Sequence, residues 1–228
     1  MTLSYSHGRE FIEQVRPILE RRDTEAFVRH LDQFWPPNAL RGLLQCGHQD
    51  AAYAALAGLA LVGSMEHCPF IAGLLHDDDG LTADLAEHAL WCIWFRAGGP
   101  EPNQQVALAV RLISRGELDA AHECIARVLA THPSFAEAYH QMALVHFLRG
   151  DYVQAISFCQ ATLLLNAWHF GAVALMGHCY ASSAQFEQAC AAYQRALQLH
   201  PRLQGVRQAI HQIRAAACPN SVNTFTKF

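Results

Sequence analysis

The 228-residue sequence is almost devoid of lysine: Lys227 is the only one, and arginine carries the rest of the positive charge, a bias that fits a GC-rich bacterial genome. It has no stretch approaching the roughly 20 uninterrupted apolar residues a membrane-spanning helix needs, because Gly, Ser, Glu and His break its richest run, AAYAALAGLALVGSMEH. The amino-terminal MTLSYSHGREFIEQV has no basic region followed by an apolar one, so no secretion signal is expected, and the expected location is the cytoplasm. No segment alternates with the period-two pattern of a strand. None of the eight cysteines forms a CxxC pair, which points to reduced, mostly buried thiols rather than a disulfide framework or a zinc ribbon.

Signatures of catalysis are missing as well. GxSxG, a phosphate-cradling glycine loop, GxGxxG and HExxH do not occur, and the acidic run HDDDG lacks the alternate spacing and distal Glu of a calcium loop. No catalytic residue, metal ligand set or cofactor is therefore assigned, and the chain is expected not to be an enzyme. His140, His146, His178 and Cys179 are the nearest approach to a metal set, but they fall on differing faces of helical segments. With 16% charged residues and a formal net charge of −4, the whole chain has no strong attraction to nucleic acid or membrane. Every Asp and Glu lies at or before Glu187, leaving Arg195, Arg202, Arg207, Arg214 and Lys227 as a locally basic end.

What is present is a 52% hydrophobic fraction, enough for a continuous core, arranged with a fixed period. Ala121, Ala155 and Ala189 recur every 34 residues, as do Leu108, Met142 and Met176; Ala109, Ala143 and Gly177; and Leu129, Leu163 and Leu197. Small residues in such columns let paired antiparallel helices approach, and large ones fill the layers between pairs. Gly116 and Gly150 fall at the turn within a pair, where positive φ relieves the bend; Ala184 takes that place in the third. Pro133 and Pro201 follow the second helix of a pair, and Ala167 replaces them in between.

On these residues the chain resembles the tetratricopeptide repeat (TPR) family, most clearly in AEAYHQMALVHFLRGDYVQAISFCQATLLLN and FGAVALMGHCYASSAQFEQACAAYQRALQLHP. The resemblance spans about Glu101 to Pro201. It implies an all-α fold, a right-handed α-α superhelix of three helix pairs, followed by LQGVRQAIHQIRAAA as a solvating cap helix. Before it, LRGLLQCGHQDAAYAALAGLALVG and FIAGLLHDDDGLTADLAEHALWCIWFRAG share an order of short apolar helix, polar turn and longer Ala-rich helix, which resembles degenerate HEAT repeats. Asp77, Asp78 and Asp79 would cap the longer helix of the second of these. The expected organisation is a HEAT-like region over 1–98, three TPR pairs and a cap over 99–217, and a flexible tail over 218–228.

The family's groove positions map onto Asn103, Val106, Val110, Ile113 and Ser114, then Glu137, His140, Leu144, Phe147 and Leu148, then Gly171, Ala174, His178, Ala181 and Ser182. A groove so composed suits an apolar peptide or helix of a partner protein, so a scaffold or adaptor is the function expected. Where some family members grip a chaperone's terminal carboxylate with Lys and Asn, this chain has Val106, Val110, Gln141, Gly171 and Leu175, so it is expected not to bind such tails. Two other classes stay open: an enzyme or enzyme subunit using the HEAT-like half, since some bilin lyases are built from such repeats, and nucleic-acid binding through Arg195, Arg202, Arg207 and Arg214. The last is disfavoured because that helix has no aromatic stacking partners.

Overall fold

The computed structural model describes residues 3–217, and the tail at 218–228 lies outside them. Among the described residues there are thirteen α-helices and no strand. The chain divides after Gly99 into two compact units.

The first unit contains α1 (Tyr5–Glu20), α2 (Thr24–Phe34), α3 (Pro37–Leu43), α4 (Gln49–Val62), α5 (Cys68–Gly73) and α6 (Gly80–Arg96). Helix α1 starts at Tyr5 because Ser4 and the His7 ring close a capping box, with Ser4 Oγ 2.7 Å from His7 Nδ1. Ser64 and His67 repeat the device, with Ser64 Oγ 3.0 Å from His67 Nδ1. The short-helix, turn, long-helix order occurs twice, as α3 with α4 and α5 with α6, and the two long helices pack on each other. Asp79 is the N-cap of α6: its carboxylate accepts from Thr82 N and Oγ1 and from Tyr53 Oη at 2.8 Å, tying α4 to α6. Those three donors hold the Asp79 carboxyl down at about 2. From the other end, the Arg96 guanidinium donates to the carbonyls of Ala60 and Gly63 and closes the last turn of α4.

The second unit runs α7 (Pro100–Ser114), α8 (Leu118–Thr131), α9 (Ala136–Leu148), α10 (Tyr152–Leu165), α11 (Phe170–Ser182), α12 (Phe186–Leu199) and α13 (Gln204–Ala217). Each helix packs on the next, and α9 also touches both α7 and α11, so the first helices of the three pairs form a continuous inner layer of an α-α superhelix. The small-residue columns lie where packing demands them: Ala121, Ala155, Ala189, Ala109 and Ala143 are all fully buried.

Gly116 and Gly150 take φ of +76° and +78°, and Ala184 follows them into the left-handed region at +57°. The turn is thus the same in all three pairs, with a methyl group carried into a conformation that favours glycine. The connections between pairs also match, although Ala167 lacks the proline ring. Asn166 Oδ1 accepts from Trp168 N in that turn, as His200 Nδ1 accepts from Arg202 N one period later, so a side-chain acceptor at that column shapes both.

Candidate functional site

The fifteen residues expected to form the groove all fall on the inner helices α7, α9 and α11. Leu148 is exposed; Asn103, Val110, Ile113, Leu144, Phe147 and His178 are half-buried; His140 is buried, and Val106 and Glu137 are wholly so. Leu144 and Phe147 pack against a core of Ala143, Ala155, Cys159, Leu175 and Cys179. The set is therefore not one surface: it splits into an open part and an internal one.

Of the expected residues, Phe147, His178, Ala181 and Ser182 line a cleft of about 350 Å³ between α9, α11, α12 and α13, together with Tyr193, Gln208 and Ile213, whereas Asn103, Val110, Ile113, Leu144 and Leu148 lie outside it. Tyr193 Oη lies 2.7 Å from His178 Nδ1, and the two rings meet edge to face with centroids 5.2 Å apart. Tyr193 reaches this place because Gly177 has no side chain; a methyl there would run into the tyrosine ring. Column by column, Ala109 and Ala143 stand where Ile125 and Cys159 are the facing residues, and the loss of one methyl at Gly177 goes with the gain of a ring at Tyr193. Burial lowers the His178 imidazole below its ordinary value and pushes the Tyr193 phenol up to about 12, so near neutrality neither carries charge. Among the described residues, no Asp, Glu, Lys or Arg lines the cleft. Such a wall offers apolar contact with neutral donors and acceptors, and does not favour an ionic ligand. Tyr193, Gln208 and Ile213 were not among the expected groove residues. The Gln208 and Gln212 pair at i, i+4 beside Ile213 was the available signal, obscured by reading α13 only as a cap.

The internal part surrounds Glu137. Its carboxylate accepts from Gln141 Nε2 at 2.7 Å, lies 3.1 Å from His140 Nδ1, and is 3.0 Å from His169 Nε2, with His169 on the turn leading into α11. Burial would push the carboxyl up; the His140 ring and the hydrogen bonds from both histidines outweigh it and hold the carboxyl well below its ordinary range. Burial likewise lowers the His169 ring.

These three side chains have their ligand atoms within 4.8 Å of one another, the spacing of a two-histidine, one-carboxylate cation site. The hydrogen-bond pattern supports a different role. His169 Nδ1 accepts from Ala172 N at 3.0 Å as the N-cap of α11, which places the ring proton on Nε2, facing Glu137. A metal at Nε2 would have to displace that proton while the cap holds the other nitrogen's lone pair. The cluster is built as a hydrogen-bonded bolt between α9 and the start of α11. His146 is elsewhere, stacked on Phe158 and 3.2 Å from Asp151, and His178 is engaged with Tyr193. Four of the fourteen histidines serve helix ends: His7, His48, His67 and His169 all take part in N-terminal capping.

A further cleft of about 400 Å³, between α7 and α8, is lined by Glu101, Gln105, Arg127 and His132 and contains none of the expected groove residues.

Residues 100–196 match the family model described as anaphase-promoting complex, cyclosome, subunit 3. A TPR repeat-containing protein of Rhizobium etli is 22% identical over 120 residues, which is 53% of this chain and 59% of that protein, so the chain spans about three fifths of the curated relative it matches. Among solved structures, the first TPR domain of the human RPAP3 protein superposes with a TM-score of 0.50 at 19% identity, covering 52% of this chain and 93% of that one. The Sgt2 TPR domain from Aspergillus fumigatus gives 0.50 at 14% identity, covering 57% and 88%. The tetratricopeptide fold of the second unit is thereby shown. Among the described residues, no helix is long and apolar enough to cross a membrane.

Proposed function

We propose that the second unit holds a segment of a partner protein against α9, α11 and α13, and that the chain acts as a scaffold or adaptor rather than as an enzyme. The observation that carries this reading is the charge-free cleft at Phe147, His178, Tyr193, Gln208 and Ile213. Its chemistry favours an aliphatic or aromatic anchor whose backbone is met by neutral amide and hydroxyl groups. Asn103, Val110, Ile113, Leu144 and Leu148 extend the proposed contact surface, while Val106, Glu137 and His140 support it from within. For the first unit the HEAT-like reading stays a proposal, supported by the repeated short and long helices.

Tails ending in acidic residues and a free carboxylate are proposed not to bind. The positions that would need a cation are Val106, Val110, Gln141, Gly171 and Leu175, and Gln141 is already bonded to the Glu137 carboxylate. Binding of an acidic EEVD-type peptide at micromolar concentration, read by fluorescence titration, overturns this part.

The main test is an array of synthetic peptides probed with the purified chain. Uncharged peptides with aliphatic or aromatic anchors should be enriched. Substituting Leu144 and Phe147 is unsuited to this test because both pack on the core, whereas Gln208 and Gln212 are exposed. The double variant Gln208→Glu, Gln212→Glu should lose the enriched peptides with helix content intact; retained binding refutes the groove.

A further inference from the structure

The outer face of α10 differs from those of its sister helices α8 and α12. Helix α10 contains no Asp, Glu, Lys or Arg, whereas α8 carries Asp119, Glu123 and Arg127, and α12 carries Glu187 and Arg195. Its outermost line is Val153, Ser157, Gln160 and Leu164, at i, i+4, i+7 and i+11, all four exposed and gathered within roughly 60° of arc. Val153 is 77% exposed and Leu164 88%. One period earlier the same line reads Asp119, Glu123, Ala126, Ala130, and one period later Glu187, Ala191, Gln194, Gln198. Among the three sister helices, charge is thus absent from this one alone. Leu165 at 41% and Trp168 at 39% exposure add apolar surface beside its carboxyl end.

The line is also a palindrome in chemistry, with an apolar residue at each end and two neutral hydrogen-bonding residues between them. If two copies of α10 lie antiparallel about a twofold axis between Ser157 and Gln160, Val153 of each meets Leu164 of the other, and Ser157 meets Gln160. We propose that this face docks a second copy of the chain through such an α10 pair. An isologous interface requires a surface complementary to itself, and a foreign partner has no need of the mirrored order. In the same register on the flanking helices, Asp119 and Glu123 stand opposite Ala130 and Ala126, and Glu187 opposite Gln198, so no like charges are opposed. A single helix face offers less than the roughly 800 Å² per partner of a standard interface, so the dimer is weak and depends on concentration. The inference uses the face away from the cleft and does not depend on the peptide-binding reading.

Sedimentation equilibrium of the full chain tests it, from about 1 µM to a few hundred µM. A monomer–dimer equilibrium is expected. Leu164→Glu alone and Val153→Lys alone should each weaken it by at least about tenfold, because each change enters the interface twice. Placing both in one chain sets each Lys against a Glu of the other copy and should recover dimerisation to within about threefold of the parent. Both sites are solvent-facing, and circular dichroism should show unchanged helix content. A monomer at every concentration overturns the proposal, as does a dimer indifferent to both single changes or a double variant no better than the singles. A dimer that is lost on deleting residues 218–228 but indifferent to both single changes overturns it in favour of the tail.

Discussion

Replacing Glu137 tests the internal architecture most sharply, because two substitutions of the same residue should separate by a calculable amount. In Glu137→Ala, the buried His169 Nε2–H and Gln141 amide lose their acceptor, and His140 loses its partner. An unsatisfied buried polar group costs about 1–3 kcal/mol, and at least two buried donors are orphaned, so a loss of about 3–5 kcal/mol is expected for the second unit. Glu137→Gln keeps the volume and one acceptor: its carbonyl can face His169 while Gln141 turns its amide over, and a loss of about 1–2 kcal/mol should follow. The assay is urea unfolding followed by far-UV circular dichroism across pH. Because the folded Glu137 carboxyl lies below its ordinary 4.5, its contribution is complete above that value and is lost as pH falls toward about 2. His169 is depressed from 6.5 by burial, so the stability of its neutral form erodes as pH drops below 6.5. The parent's acid limb should begin near 6.5 and steepen below 4.5; Glu137→Gln should keep the first part and lose the second. The reasoning fails if Glu137→Ala is within about 1 kcal/mol of the parent, if the two variants cost the same, or if the acid limbs of parent and Gln variant superimpose.

Three other outcomes follow from single positions. Ala184→Gly should stabilise the second unit by about 0.5–1 kcal/mol, since the φ of +57° already suits glycine; a destabilised variant in thermal melts would contradict the strain assigned there. Gly177→Ala should destabilise by about 1–3 kcal/mol because its methyl meets the Tyr193 ring, and pairing it with Tyr193→Cys, the residue one period earlier, should recover part of that loss. Tyr193→Phe removes the bond to His178 and should weaken capture of cleft-binding peptides more than it lowers stability, measured side by side by titration and melting.

The second unit was legible in the sequence because its information is periodic. Ala121, Ala155 and Ala189 fixed the register, and Gly116 and Gly150 marked turns whose positive φ the structure contains. The cleft was only half legible. Phe147 and His178 lie on the inner layer and follow from register, but Tyr193 sits on a second helix of a pair and enters only because Gly177 has lost its methyl. That is a coupling between two columns rather than a feature of either. The Glu137 bolt was misread for a related reason: its register position faces a groove, yet His169, at the column of Phe135 and Leu203, closes over it from the next turn. Ser4 with His7, and Ser64 with His67, had the three-residue spacing of a capping box, but with histidine where glutamate or glutamine is usual.

Departures from a repeat divide into those balanced inside the chain and those that are not. Gly177 is balanced by Tyr193, and the buried charge of Glu137 by His140, His169 and Gln141. Each pair changes together, so each leaves the isolated unit near a sound packing arrangement. The outer face of α10 has no such counterpart: Val153 and Leu164 give up a solvated surface, and no side chain of the described residues covers them. Exposed apolar area raises the free energy of a lone chain by about 25 cal/mol per Å² relative to burial, whichever way the rest of the repeat adjusts. Under the proposal above the balancing element is a second copy of the chain, and the mirrored order of Val153, Ser157, Gln160 and Leu164 is what fits that surface to itself.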